Sequence, residues 1–222
     1  MPAMRAERMR IPGAAGAIDT LVEMPGDALR GIALIAHPHP AGGGANTNKV
    51  VHTLAKTFLQ LGYAVFRPNF RGVGESEGTH DEGEGETDDL LTVLNAARQM
   101  VQNGADLPVD LPVVLAGYSF GAYCQTRVAQ RLHMEGHPAE RLVLVGTAAG
   151  FIEGIRIYDT AAVPPDTLVI HGAEDTTVPL ANVLAWAKPQ GLPVVVVPGA
   201  DHFFHRRLDL IRAIVLRAWH HD

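Results

Sequence analysis

The sequence has a single cysteine, Cys124, so no disulfide can form within one chain. It also lacks any apolar run that approaches the roughly 20 residues needed to span a membrane as a helix. Arginines at positions 5, 8 and 10 are not followed by the apolar segment of a secretory signal. We therefore expect a cytoplasmic protein that makes no contact with membranes.

The sequence also has fewer basic residues than acidic ones. The chain has 18 lysines and arginines against 24 aspartates and glutamates, which gives a net charge of −6. Binding to nucleic acid requires a basic surface that neutralises phosphates, so nucleic acid is disfavoured as the main partner. We expect the partner to be a small molecule, and the sequence does not distinguish a monomer from a homodimer.

What the sequence does have is an alternation of two kinds of segment. Short apolar runs that are continuous in sequence span residues 32–36, 63–66, 113–116, 142–145, 168–170 and 194–197. Such runs indicate strands buried on both faces, as in a parallel sheet. Stretches with helical spacing lie at residues 46–61, 87–101, 121–132, 180–187 and 205–219. This pattern predicts an α/β fold with a mostly parallel central sheet and helices on both faces, in a single domain over residues 1–222. A hairpin over residues 9–24 is expected at the sheet edge.

The segment over residues 113–122 carries the strongest functional signal. A buried run leads directly into Gly117-Tyr118-Ser119-Phe120-Gly121 and then into a helix. This context predicts a nucleophile elbow, a tight turn from which the hydroxyl of Ser119 projects clear of the sheet. The alternative is a glycine-rich turn whose serine only caps the helix. Because a free serine is a poor nucleophile, the prediction requires a base nearby in space.

Two later loops supply candidates for the remaining groups. Glu174 and Asp175 follow the apolar run at 168–170, at the carboxyl end of a strand, where open α/β sheets place their sites. His202 follows the run at 194–197. A histidine can take the serine proton near neutral pH and return it to the leaving group. His205, in the same loop, is the main competitor.

An acyl-transfer enzyme also needs two donors aimed at the oxygen of the tetrahedral intermediate. We expect one to be the backbone N–H of Phe120 and the other to come from the early loop that begins His37-Pro38-His39-Pro40. Prolines carry no N–H, and we assign the second donor to His39, whose flanking prolines hold it stiffly. A metal site built from His37 and His39 is the alternative, but it lacks a third ligand. We expect no metal and no cofactor.

Taken together, these segments resemble the α/β-hydrolase superfamily, and more narrowly a group of compact bacterial serine hydrolases that lack a lid. The resemblance implies the α/β-hydrolase fold without a cap domain. It assigns the catalytic acid to Asp175, with Glu174 as the fallback, and it matches the chain order Ser119, Asp175, His202. The motifs that carry it are residues 37–44, 48–51, the Arg71-Gly72-Val73-Gly74-Glu75-Ser76 loop with its neighbours at 69–78, 117–121, 171–179 and His202.

The predicted function is that of a carboxylesterase-like serine hydrolase. The segment over residues 150–166 is too short for a separate capping domain, since domains run to about 50 residues or more. We therefore expect an open, shallow pocket that suits short acyl groups. A thioesterase or a peptidase could use the same three residues, and a binding protein without turnover could share this fold.

Overall fold

The computed structural model describes residues 6–26, 29–104 and 111–219. Residues 1–5, the first part of the N-terminal segment considered above, lie outside these ranges. No helix within the described ranges is both long enough and apolar enough to cross a membrane.

An eight-stranded sheet forms the centre of the molecule, in the order β1-β2-β4-β3-β5-β6-β9-β10. All pairs from β4 to β10 are parallel, whereas β1 pairs antiparallel with β2, and β2 antiparallel with β4. The strands are β1 Glu7–Gly13, β2 Gly16–Glu23, β3 Gly31–Ala36, β4 Tyr63–Pro68, β5 Val113–Tyr118, β6 Arg141–Val145, β9 Leu168–Gly172 and β10 Val194–Val197. Each predicted apolar run lies in one of them, and the predicted edge hairpin is β1 and β2.

Helices cover both faces of this sheet because each face buries one set of alternating strand residues. On one face the core includes Leu94 and Val128, and on the other it includes Phe58, Val215 and Trp219. The helices are α1 Lys49–Gln60, α2 Glu84–Gly104, α3 Phe120–Met134, α4 Leu180–Ala187 and α5 Leu208–Trp219. The predicted fold class, a mostly parallel sheet with helices on both faces, is confirmed.

Three helix starts differ from the predicted ones by three residues, and each has a local cause. Helix α1 begins at Lys49, after the expected residue 46, where the Asn48 side chain accepts the Val50 backbone N–H as an N-cap. Helix α2 begins at Glu84, before the expected residue 87, because the buried carboxylate of Glu86 accepts the backbone N–H groups of Asp81 and Gly83. Helix α5 begins at Leu208, after the expected residue 205. Phe204 and Arg206 have φ of 52° and 58°, so a right-handed helix cannot pass through them.

The crossover from β6 to β9 forms a small hairpin of its own. Strands β7 Gly150–Ile152 and β8 Arg156–Tyr158 pair antiparallel and are not part of the main sheet. The hairpin is fastened to the loop before α2, because the Arg156 guanidinium donates to the backbone carbonyl and the carboxylate of Glu82. The short crossover therefore forms a wall beside the carboxyl ends of β5 and β6.

A buried ion pair links the antiparallel part of the sheet, at β2, to the parallel part, at β4. Arg67 on β4 pairs with Glu23 on β2, and its guanidinium also donates to the backbone carbonyl of Asn46 at 3.1 Å. Both side chains are nearly inaccessible, with 4% and 10% exposed. Such a pair contributes little compared with an apolar replacement, but loss of one partner leaves a charge buried without compensation.

We expect Glu23→Gln to lower the free energy of unfolding by about 3 kcal/mol, because Arg67 then keeps its charge without a carboxylate. Urea unfolding followed by tryptophan fluorescence measures the change. Glu7→Gln, at an exposed position of β1, is the control and should stay within about 0.5 kcal/mol of the unaltered protein. Equal stabilities of the two variants would contradict the role given to the buried pair.

Candidate active site

Ser119 lies in a strained turn between β5 and α3. Its backbone has φ 56° and ψ −117°, a conformation that residues with a side chain rarely adopt. The side chain makes no capping hydrogen bond to α3, so the interpretation of Ser119 as a helix cap is wrong. Its backbone N–H is held by the carbonyl of Val145 at 2.9 Å, which ties the turn to the end of β6.

The two glycines of the motif permit close backbone approaches that a side chain would block. A Cβ on Gly117 would lie 2.5 Å from the carbonyl oxygen of Gly121. A Cβ on Gly121 would lie 2.4 Å from the carbonyl oxygens of both Ala36 and His37. The first contact lets the strand turn back against its own helix. The second brings the start of α3 against the loop that follows β3.

His202 and Asp175 complete a chain of hydrogen bonds that begins at Ser119. The Nε2 atom of His202 lies 3.1 Å from the Ser119 Oγ, and its Nδ1 lies 2.7 Å from Asp175 Oδ2. A carboxylate accepts only, so Nδ1 carries the proton and Nε2 accepts from the serine hydroxyl. All three side chains are buried among loops at the carboxyl ends of β5, β9 and β10.

The two fallback residues do not reach this chain. Glu174 is exposed, whereas the adjacent Asp175 points into the site. His205 is exposed and its Nδ1 pairs with Asp201 Oδ2 at 2.6 Å. The hydrogen bond between His205 and Asp201 is therefore separate from the one between His202 and Asp175.

The Asp175 carboxylate is held in place by several donors. Its Oδ1 accepts the backbone N–H groups of Thr177 at 3.0 Å and Val178 at 2.7 Å. The Nε2 of His171 lies 2.9 Å from the Val178 carbonyl and 3.3 Å from Asp175 Oδ2. Burial lowers the pKa of His171, so it is neutral and acts as a donor through Nε2. These contacts fix the carboxylate so that its Oδ2 faces His202 Nδ1.

Tyr118 fixes the backbone of the histidine loop, a role that sequence reasoning missed. Its hydroxyl donates to the His202 carbonyl at 2.8 Å, and the two rings lie 5.2 Å apart. Tyr118 immediately precedes Ser119, so one turn positions both the nucleophile and the base. The signal that could have revealed it is a tyrosine at the end of a buried strand, since a buried tyrosine hydroxyl requires a partner.

The loop after β3 is anchored by His37. The Nε2 of this fully buried ring accepts the Phe70 backbone N–H at 2.9 Å, and its Nδ1 lies 2.7 Å from the Pro38 carbonyl. Both ring nitrogens are therefore committed to backbone groups, which makes the metal site proposed from His37 and His39 wrong. Within the described ranges, no group of three potential metal-ligating side chains occurs.

The two predicted oxyanion donors belong to segments that lie side by side. Phe120 is the first residue of α3, and its ring lies 5.0 Å from the ring of His39. The His39 ring accepts the Ala41 backbone N–H through Nδ1 at 3.1 Å. Burial, with His80 and Arg156 nearby, lowers the pKa of His39 and keeps its ring neutral. The assignment of the Phe120 and His39 amides to the oxyanion stays a prediction.

Ser119 opens into a cleft of about 590 Å³, a volume typical of small-molecule sites. We call it the cleft; one wall is the β7–β8 hairpin, which contributes Ile152, Ile155, Arg156 and Tyr158. His39 and His80 also line the cleft, as does the exposed Phe203 next to His202. The crossover between β6 and β9, which the sequence predicted only to be short, thus supplies one wall of the site.

The chain is similar in sequence and in structure to several known proteins. The family described as serine aminopeptidase, S33, matches residues 29–161. An α/β serine hydrolase homologue from Coxiella burnetii has a TM-score of 0.80 and 35% identity, with 98% of this chain and 99% of that one covered. XC6422 from Xanthomonas campestris, an α/β serine hydrolase without a lid, has a TM-score of 0.80 and 31% identity, covering 98% and 94%. An uncharacterized protein of Rickettsia prowazekii is 31% identical over 80% of this chain and 74% of its own length.

We expect Gly121→Ala to lower the free energy of unfolding by roughly 1–3 kcal/mol, because the new methyl group meets two backbone carbonyls that cannot move aside. Chemical denaturation measures the loss. Gly42→Ala is the matched control, since a Cβ there meets nothing within 4 Å. A Gly121→Ala protein as stable as the Gly42→Ala protein would show that the close approach is not required.

His37 should make stability depend on pH. Burial lowers its pKa from 6.5 to about 4, and protonation of Nε2 would remove the acceptor for Phe70. Between about pH 6.5 and pH 4, the His37 imidazole is protonated in the unfolded chain but stays neutral in the folded chain. Stability is therefore fully present above pH 6.5 and falls by about 3 kcal/mol as the pH decreases to 4.

Urea unfolding of the unaltered protein and of His37→Asn, each between about pH 7 and about pH 4, tests this pH dependence. The variant should lose less stability over that interval. His133→Asn, at an exposed position of α3, is the control and should follow the unaltered protein. Parallel curves for the unaltered protein and His37→Asn would contradict the account.

Proposed function

The chain belongs to the α/β serine hydrolases, in the family described as serine aminopeptidase, S33, and on that basis we propose that it hydrolyses carboxylic esters through an acyl-enzyme formed on Ser119. The observation that carries this proposal is the continuous hydrogen-bonded path from the Ser119 hydroxyl through His202 to Asp175. Ser119 acts as nucleophile, His202 as general base and acid, and Asp175 as the group that holds the imidazole.

The first half of the reaction forms the acyl-enzyme. His202 Nε2 takes the hydroxyl proton as Ser119 Oγ attacks the ester carbonyl carbon, and the carbonyl oxygen becomes negatively charged. The backbone N–H groups of Phe120 and His39 bind that oxygen. Loss of one such donor typically raises the barrier by about 2.7–4 kcal/mol. The protonated His202 then gives its proton to the leaving alcohol oxygen as the bond from carbon to oxygen breaks.

The second half repeats these steps with water. His202 takes a proton from water, the resulting hydroxide attacks the acyl carbon, and Ser119 Oγ leaves with the proton that His202 returns. Throughout, Asp175 holds and stabilises the imidazolium, and the backbone amides of Thr177 and Val178 keep the carboxylate in place through its other oxygen. The proposed steps need no cofactor.

The cleft supports small ester substrates. Its wall is a hairpin fastened by Arg156 and Glu82, with no further domain between β6 and β9 to enclose a long chain. Apolar side chains of Ile152, Ile155 and Val178 line part of it and suit a short acyl group. We place the activity in the cytoplasm, because the sequence carries one cysteine and that thiol is buried.

Peptide hydrolysis is the second candidate, because the matched family is described as a serine aminopeptidase. An aminopeptidase must bind a free α-amino group, for which a carboxylate in the cleft is the natural partner. The acidic residue that lines the cleft in the described ranges is Glu82, and Arg156 already occupies its carboxylate. This pairing favours esters over peptides with a free amino terminus. The same three groups would also serve a thioester.

We expect Ser119→Ala and His202→Gln to reduce kcat for p-nitrophenyl acetate by roughly 10⁴-fold or more, because each removes a group that acts in the transition state. His205→Gln is the matched control: it removes a histidine of the same loop that has its own carboxylate partner but does not reach Ser119. It should keep kcat within about twofold. Normal turnover by the Ser119→Ala protein would end the proposal.

A further inference from the structure

A second cavity lies beside the cleft, and its occupant follows from the proposed ester hydrolysis. We call it the adjoining cavity; it measures about 360 Å³ and lies between residues 43–50 and residues 203–208. It shares Asn48, Tyr118 and Phe203 with the cleft. These three residues therefore form the boundary between the two spaces, and one of them, Phe203, is next to the proposed base, His202.

The adjoining cavity is positively charged, although the chain as a whole has a net charge of −6. The ionisable residues that line it are Tyr118, Lys49, His205 and Arg206, with no carboxylate among its lining. Asp201, on the same loop, is hydrogen-bonded to His205 at 2.6 Å. Within the ranges that the structure describes, Lys49 and Arg206 form no ion pair.

The chemistry of the proposed reaction places the leaving group on this side. His202 Nε2 must deliver its proton to the leaving oxygen, so the leaving group lies against the His202 loop, whereas the acyl oxygen faces Phe120 and His39. Phe203 follows His202 directly, and its ring packs edge-on against the imidazole with centroids 5.5 Å apart. Because Phe203 lines both spaces, a group on the leaving oxygen that extends past Phe203 would enter the adjoining cavity.

The loop that carries Arg206 is anchored rather than loose. Phe204 is fully buried, and the Arg207 backbone N–H donates to the Phe204 carbonyl at 2.9 Å. Arg206 and Lys49, the first residue of α1, both line the cavity. Two cations that line one small open cavity favour the binding of an anion there.

We propose that the natural ester has a leaving group that carries an anionic group, a carboxylate or a phosphate, and that Lys49 and Arg206 bind this anion in the adjoining cavity. This inference rests on the proposed ester hydrolysis at Ser119. It specifies the charge of the substrate that the enzyme selects and the part of the substrate, the leaving group, that carries this charge.

The test compares acetyl esters that differ only in the group at the meta position of a phenol. The leaving groups are 3-hydroxybenzamide, 3-hydroxybenzoate and 3-hydroxyphenyl phosphate, of which the first is neutral. For each anionic ester, kcat/KM is divided by kcat/KM for the neutral ester. We expect Lys49→Gln and Arg206→Gln each to lower this ratio roughly threefold and the double variant about tenfold, since exposed charges act modestly. High salt should lower the ratio of anionic to neutral kcat/KM in the unaltered protein, because salt screens the two charges.

The matched control is Lys56→Gln, which removes an exposed cation from the same helix but outside the cavity. Its ratio should equal that of the unaltered protein. A fall for the carboxylate ester only, or for the phosphate ester only, identifies which anion the site takes. If neither ratio falls in the double variant, or if Lys56→Gln lowers it equally, the inference is overturned while ester hydrolysis stands. If no ester is hydrolysed, the proposed function itself fails.

Discussion

The hydrogen bond between His202 Nδ1 and Asp175 Oδ2 is the interaction on which the candidate site depends. It places the imidazole proton on Nδ1 and so leaves Nε2 able to accept from Ser119. It forms only because β5, β9 and β10 run parallel and end at the same edge of the sheet, which brings three loops from distant parts of the chain together. Asp175 is held in this orientation by two backbone amides on its other oxygen and by the neighbouring His171.

Much of this arrangement could be predicted from short segments. A continuous apolar run followed by Gly117-Tyr118-Ser119-Phe120-Gly121 specifies a strand, a tight turn and a helix through local sterics, and the structure has all three. The inner strands of the parallel sheet could be predicted because burial on both faces leaves no polar position in the run, whereas the edge strand β10 is apolar although only Val197 in it is buried. Position after such a strand pointed to His202 and to Glu174 or Asp175, and the family resemblance chose Asp175, which the structure places 2.7 Å from His202.

Other contacts could not be predicted because they depend on residues far apart in sequence. Nothing near Tyr118 indicates that its hydroxyl binds the His202 carbonyl, and nothing near Glu82 indicates that Arg156 fastens a hairpin to it. Nothing near Glu86 indicates that its carboxylate is buried, where it accepts the backbone amides of Asp81 and Gly83. The contact between His37 and the Phe70 backbone could not be predicted for the same reason, since Phe70 lies in a different loop.

The most direct measurement of the central claim is the site of reaction with a fluorophosphonate, which modifies a serine only where a base has activated it. Intact mass followed by peptide mapping of the folded protein should show one phosphonyl group per chain, on Ser119. The same protein unfolded in urea before treatment should show none. Absence of label in the folded protein, or label on another residue, would contradict the assignment of Ser119 and His202 as nucleophile and base.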